Sequence, residues 1–306
     1  MRGTFVRALQ KEMAVNDRIV LITGDLGFGV LRPIWDNYPD RIINAGIAEQ
    51  SMVSMAAGLA STGRTVIVYS IGNFPTLRPL EQIRNDCAYH NADVKIVCVG
   101  GGFVYGSLGM SHHATEDLAV MRALPGVTCF APGDAAEAEA VVPVMLRTPG
   151  TCYLRLGRDG EPQVHQGPLE SWSFPRAVPC RKGTDIALFG IGGILPEVMA
   201  AAELLQEKGV SAEVLSFPCL KPIDREAILD TAKRFGRIVT VEEHNIVGGL
   251  GSAVCETVTE SERPCPVLRI GMNDTYTSVV GDQKYLREYY GIDSRAIAEK
   301  TLEFMK

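Results

Sequence analysis

The stretch INAGIAEQSMVSMAAGLAS, Ile43 to Ser61, sets a carboxylate, Glu49, at the mouth of a long apolar segment. Met52, Val53, Met55, Ala56, Ala57, Leu59 and Ala60 follow it, which predicts a mostly buried helix. A charge entering a dry place costs several kcal/mol unless something pairs with it. The helix dipole also favours an acid in the first turn, by roughly 0.3–1 kcal/mol. A plain helix-end charge and a chemically working carboxyl are therefore both open at this position. A second candidate is His112, in MSHHATED. It follows the glycine-rich loop GGGFVYGSLG, which itself follows a predicted strand, and ligands bind at the carboxyl ends of strands in open α/β sheets. That location makes His112 a proton donor or ligand anchor, against the alternative of a solvated loop histidine. GGLGSA, Gly248 to Ala253, is a partial phosphate loop. It falls in the third βα unit of its half rather than the first, which favours a tight turn with close helix packing over dinucleotide binding. The chain carries no Ser-His-Asp order, nucleophile elbow, Walker loop or metal-binding helix motif.

These residues need a scaffold, and the chain reads as an alternation of short β-branched runs with helical patterns. RIVLITGD, TVIVYS, VKIVCVG, VTCFAPG and TCYLRLG read as strands, with helices expected over Glu49–Ser61, Leu77–Ala88, Thr115–Leu124 and Asp134–Leu146. Phe5, Leu9 and Met13 fall four apart, so the N-terminus reads as an amphipathic helix rather than a signal peptide. The alternation lapses over Gly157–Thr184, rich in Gly, Pro and charge, and then resumes. Helices are expected from Leu195 to Lys208, from Asp224 and from Gly249. The expected architecture is two consecutive α/β domains with mainly parallel sheets, residues 1–168 and 169–306.

Bulk composition narrows the functional classes. The 306 residues include 22% charged residues and carry a net charge of −6, with no basic cluster, which argues against a nucleic-acid partner. No apolar run approaches the ~20 residues of a membrane span. The eight cysteines form no CxxC pair and several sit in strand patterns. They read as free thiols in a reducing cytoplasm, with no metal site.

GDLG at Gly24, NAGIAEQ at Asn44, AAGLASTG at Ala56, RPLEQIRND at Arg78, SHHATEDLAVMRALPG at Ser111, YLRLGR at Tyr153 and VEEHNIVGGLGSAV at Val241 follow one another in order. Together they resemble the C-terminal half of transketolase and deoxyxylulose-phosphate synthase, over essentially the whole chain. The resemblance implies a pyrimidine-binding domain for thiamine diphosphate, followed by a transketolase C-terminal domain. It implies that Glu49 hydrogen-bonds N1′ of the cofactor's aminopyrimidine ring and steers its tautomer. Burial at the helix mouth, which disfavours an ionised carboxyl, agrees with that role. By the same resemblance Phe74 stacks on the ring, Asp25 stands near the cofactor and a subunit interface, His112 contacts the donor, and Arg158 holds the sugar phosphate with its planar fork.

The departures are as informative. No GDG, the family's diphosphate and Mg²⁺ signature, occurs in the sequence. The resemblance therefore implies a partner, an N-terminal subunit supplying the Mg²⁺ ligands, with a homodimer of this chain inside a heterotetramer. A gapless match puts Gly100 where the family has a histidine and Leu108 where it has a hydroxyl-reading aspartate. Ser107 replaces an acid and Ile71 an aromatic residue. These changes predict an enlarged, apolar wall suited to a branched, deoxy or otherwise modified sugar phosphate, with His113 as another candidate for hydroxyl recognition. The expected function is ketol transfer between sugar phosphates by a split transketolase. The alternatives are an acyloin synthase using a 2-oxo acid such as pyruvate, and a non-catalytic scaffold or regulatory subunit.

Overall fold

The computed structural model describes residues 1–169 and 172–306. Glu170 and Ser171, inside the expected connection, lie outside the described residues. The first half runs α1 (Arg2–Val15), β1 (Ile19–Thr23), α2 (Arg32–Asn37), β2 (Ile42–Asn44), α3 (Glu49–Ala60), β3 (Thr65–Ile71), α4 (Phe74–Leu77), α5 (Leu80–Gln82), β4 (Val94–Val99), α6 (Asp117–Ala123), β5 (Thr128–Phe130), α7 (Ala135–Arg147) and β6 (Cys152–Leu156). The second half runs β7 (Val178–Arg181), β8 (Ile186–Ile191), α8 (Leu195–Glu207), β9 (Ala212–Ser216), β10 (Cys219–Lys221), α9 (Arg225–Phe235), β11 (Ile238–Asn245), α10 (Leu250–Thr259), β12 (Val267–Met272), α11 (Gln283–Tyr289) and α12 (Ser294–Met305). Among the described residues, no helix is long and apolar enough to cross a membrane.

The first sheet has the order β10-β5-β6-β4-β3-β1-β2, and its first six strands in sequence pair in parallel. Its central strands are apolar on both faces, as a doubly covered parallel sheet requires. Ile22, Val68 and Ile96 face one apolar cluster, and Leu21, Ile67 and Val97 face another. Phe5, Leu9 and Met13 of α1 seal the second cluster, as their spacing predicts. The first cluster continues through Ala187, Phe189 and Leu250, so the two halves share one core. The second sheet has the order β12-β11-β8-β9-β7, parallel except for β7.

β10 crosses the expected division. It lies in the second half of the chain but pairs antiparallel with β5 and closes one edge of the first sheet. A three-residue strand shows no period, which is why the sequence pattern does not reveal it. Further corrections concern helices. The expected helix Leu77–Ala88 is broken into the end of α4, α5 and a π-helical turn over Ile83–Ala88, because Pro79 interrupts its start. The helix expected from Thr115 starts at Asp117, and α11 and α12 have no counterpart in the sequence reading. Apart from Glu49, α3 buries only Met52, Val53 and Ala56, leaving Met55 at 40% exposure, so the expectation of a mostly buried helix is corrected.

A buried polar network locks the halves together. Glu243, at the end of β11, accepts from the Phe103 backbone N–H at 2.6 Å, from Gln283 at 2.8 Å and from Arg287. Arg155 of β6 donates to the carbonyls of Ala114 and Glu243 at 3.2 and 2.7 Å. The loop after β4 is thus fixed from both halves.

Glu137 of α7 and His165 and Cys180 of the connection bring potential ligand atoms within 4.8 Å of one another. Both Glu137 oxygens are already engaged, one with His165 Nε2 at 2.8 Å and one with the Gly133 N–H at 2.6 Å. Burial pushes the Cys180 thiol up to about 12, so it is protonated. This arrangement ties the connection to α7 through protein contacts. All eight cysteines are free, and Cys87, Cys98, Cys129, Cys152 and Cys219 are buried.

Candidate active site

Parallel strands deliver their following loops to one edge, and every candidate residue of the first half stands at that edge. β1 leads to Asp25, β2 to Glu49, β3 to Phe74, β4 to Gly100, Leu108 and His112, and β6 to Arg158. The strand order reverses at β1, which pairs with both β2 and β3. In an open α/β sheet this reversal opens a crevice.

Four side chains meet beside that crevice. Glu49, the first residue of α3, is 6% exposed, and its Oε1 accepts from Arg78 Nη1 at 2.8 Å. The Arg78 guanidinium carbon lies 4.0 Å from the centroid of the Phe74 ring. Phe74 opens α4 and Arg78 follows one turn later, so helical i, i+4 spacing sets the guanidinium over the ring. The His112 ring also meets Phe74, edge to face, with centroids 5.1 Å apart. Asn73 donates to the His113 carbonyl and ties the end of β3 to the histidine loop. Ser111 Oγ lies 3.0 Å from His112 Nδ1, which orients the imidazole. An open cleft of about 390 Å³, lined by Ile47, Ala48, Glu49, Gln50, Ser51 and Arg78, adjoins the ion pair.

Arg78 supplies the partner that a buried carboxylate at this position needs. Arg78 is a member of this cluster that the sequence analysis did not single out. The signal available was its position four residues beyond the aromatic ring, in a segment that starts a helix at a proline.

Asp25 stands apart from this cluster. It is exposed at φ 56°, a left-handed conformation that Asp tolerates better than most residues. Asn44 holds it from both sides, its Oδ1 accepting from the Asp25 N–H at 2.9 Å and its Nδ2 donating to Asp25 Oδ1 at 3.1 Å.

Gly100 does not leave space. A Cβ there would come within 2.3 Å of the Tyr105 ring, so the ring already fills the room expected of an enlarged wall. Burial raises the Tyr105 phenol above its ordinary value, against the nearby charges of Arg2 and Arg158. Arg158 itself is exposed and makes no hydrogen bond or ion pair with the Glu49–His112 cluster among the described residues. Leu108 is 55% exposed, with Met110 also open on the same loop and Val280, exposed in the segment before α11, close to Gly109.

His113 is withdrawn from substrate. It is buried, with Nε2 3.1 Å from the Gly106 carbonyl and Nδ1 2.7 Å from Thr277 Oγ1. Burial lowers its basicity, consistent with a neutral ring whose Nε2–H donates to that carbonyl and whose Nδ1 accepts from Thr277. His113 is therefore a loop anchor, and hydroxyl recognition by it is excluded by geometry.

GGLGSA also resolves. Leu250 and Gly251 donate their N–H groups to the Glu242 carboxylate at 2.8 and 2.9 Å. A Cβ on Gly249 would strike Glu242 at 1.8 Å. The glycine loop thus cradles an oxygen group, but one from its own chain, and the phosphate-loop reading gives way to the tight turn.

Comparisons with known proteins identify the family to which this fold belongs. Residues 1–161 match the family model for the transketolase pyrimidine binding domain, and residues 176–297 match the transketolase C-terminal domain. The chain is 38% identical over 297 residues to a subunit of the apulose-4-phosphate transketolase of Phocaeicola vulgatus, covering 96% of this chain and 94% of that protein. It is 33% identical over 304 residues to a 6-deoxy-6-sulfo-D-fructose transketolase subunit of a Clostridium species, covering 99% of this chain and 94% of that protein. A solved split-gene transketolase, an inactive beta4 tetramer, superposes with a TM-score of 0.90 at 35% identity, covering 99% of this chain and 97% of that one. With both halves matched in order and the fold shared, the chain belongs to the transketolase family.

Proposed function

We propose that this chain is the C-terminal subunit of a two-polypeptide, thiamine-diphosphate-dependent transketolase that moves a ketol unit between modified sugar phosphates. Residues 1–168 are its pyrimidine-binding unit and 169–306 its C-terminal domain. One observation carries the reading. A buried carboxylate and a half-buried aromatic face converge at the carboxyl edge of the sheet, with a flat, N–H-donating cation between them. That slot fits an aminopyrimidine, which needs a carboxylate at N1′ and a ring to stack on. When bound, thiamine diphosphate supplies carbanion-stabilising chemistry. Glu49 holds or shares the proton at N1′, and Phe74 fixes the plane of the ring. His112, oriented by Ser111, faces the donor's oxygen, and Arg158 offers its fork to the phosphate.

The diphosphate and Mg²⁺ fall to an N-terminal partner subunit, since octahedral Mg²⁺ requires a set of oxygen ligands that no GDG motif here provides. Two relatives that match along nearly their full length are themselves named as subunits, which supports this division. The exposed Met55 of α3, with Ile47 exposed just ahead of that helix, supports a second copy of this chain in the assembly. The exposed Leu108 and the modified sugar in one relative's name support a donor lacking the ordinary hydroxyl pattern.

Isothermal titration with thiamine diphosphate and Mg²⁺ tests the reading. Binding is expected only after assembly with the diphosphate-binding partner. Tight Mg²⁺-dependent binding by this chain alone would sink the split-enzyme assignment, and release of carbon dioxide from pyruvate by the assembly would favour the acyloin synthase.

A further inference from the structure

Arg78 makes both of the contacts that the aminopyrimidine is proposed to make. Its guanidinium stacks on Phe74 at 4.0 Å, and its Nη1 donates to Glu49 Oε1 at 2.8 Å. A guanidinium and an aminopyrimidine protonated at N1′ are alike in the features that matter here. Each is a flat, delocalised cation with a π face and an N–H edge. Two such groups cannot occupy one slot.

We infer that Arg78 is a placeholder for the cofactor's pyrimidine: it fills the slot and neutralises Glu49 in the unloaded chain, and swings out when the ring arrives. The inference rests on the proposed reading of Glu49 and Phe74. The asymmetry of exposure supports it. Glu49 is 6% exposed, so its carboxylate needs a partner at all times, whereas Arg78 is 48% exposed and has a free path to solvent. Its long stem lets the head leave without moving α4. The slot is consequently never an empty charged cavity, and loading becomes an exchange of one flat cation for another.

The test compares the free chain with the chain assembled with its diphosphate-binding partner, thiamine diphosphate and Mg²⁺, using isotope-labelled arginine and NMR. In the free chain the Arg78 side-chain signals are expected to be shifted upfield by the Phe74 ring, and Phe74→Leu should abolish that shift. Loading should return them to the positions of exposed arginines. Arg78→Met in the assembly should tighten cofactor binding about tenfold in titration, since no displacement is then needed. Arg78→Lys, which keeps a charge for Glu49 but offers no flat face, covers a Met variant that fails to fold and should also tighten binding. Unshifted Arg78 signals in the free chain would overturn the inference. So would signals that stay shifted in a loaded assembly, or a folded variant whose cofactor affinity is unchanged or weaker. Failure of the underlying reading looks different. An assembly that binds no thiamine diphosphate, while Arg78 stays ring-shifted, would remove the pyrimidine site and the placeholder with it.

Discussion

At the scale of single residues, chemistry was legible where a residue type conflicts with its surroundings. An acid heading an apolar helix is such a conflict, and Glu49 is buried as that conflict suggests. Its counter-charge was harder to read, because Arg78 lies 29 residues further on and only its spacing from Phe74 hints at it. Glu49→Gln should preserve the fold yet remove most activity of the assembled enzyme, since an amide cannot supply the proton at N1′. Unchanged exchange of the thiazolium carbon proton, followed by NMR in deuterium oxide, would reduce Glu49 to a helix-end charge. Gly100 shows the opposite failure. Sequence alone suggests space, while φ of 99° and the overlying Tyr105 ring show a position that only glycine fits. Gly100→Ala should cost roughly 1–3 kcal/mol in urea unfolding. Adding Tyr105→Ala should recover the packing share of that loss but not the backbone share. Leu108 is the specificity candidate. Leu108→Asp should shift kcat/KM toward an unmodified ketose phosphate by about 10–100-fold, equivalent to about 1–3 kcal/mol. A wild-type preference for xylulose 5-phosphate over branched or deoxy analogues would refute this role.

At the scale of elements, long periodic segments were read well and short or interrupted ones were not. α3, α7 and α8 begin and end within about two residues of expectation, because each repeats an apolar stripe over three turns or more. α4, α5 and the π-helical turn were merged into one helix, since proline breaks a helix without erasing the pattern on either side. GGLGSA illustrates how a motif is decided by its partner. Burial pushes the Glu242 carboxyl up to about 7, against the Gly251 and Leu250 N–H groups that favour its ionised form. A folded-state value above the unfolded one contributes stability that is present below about pH 4.5 and lost as pH rises through about 7. Relative to Glu242→Gln, the wild type should therefore lose stability between pH 4.5 and 7, by up to about 3 kcal/mol. Urea midpoints at pH 5, 6 and 7 measure this, and a constant difference between the two proteins would contradict it.

At the scale of the molecule, the two α/β series were legible, but their interlock was not. The polar contacts that join them are single side chains far apart in sequence, and a one-dimensional pattern holds no record of them or of the shared core and the β10–β5 pairing. Glu243 is the centre of that joint. Glu243→Gln leaves the nearly buried Arg287 without its closest counter-charge and should cost roughly 3 kcal/mol. Hydrogen exchange should then speed up in residues 100–113, the loop that carries His112, because Phe103 loses its charged acceptor. Loosening confined to the second half would show that the network serves stability alone. The pairing of β10 with β5 has a further consequence, for the order of events during synthesis. All six parallel strands leave the ribosome before Cys219 does, so the first sheet waits with β5 as an open edge while more than sixty residues after β6 are still being made. Exposed strand edges recruit other chains. The nascent protein is thus most vulnerable to mispairing in that interval, and a pause in translation before Lys221 has emerged from the ribosome would prolong the hazard, whereas one after it has emerged would not.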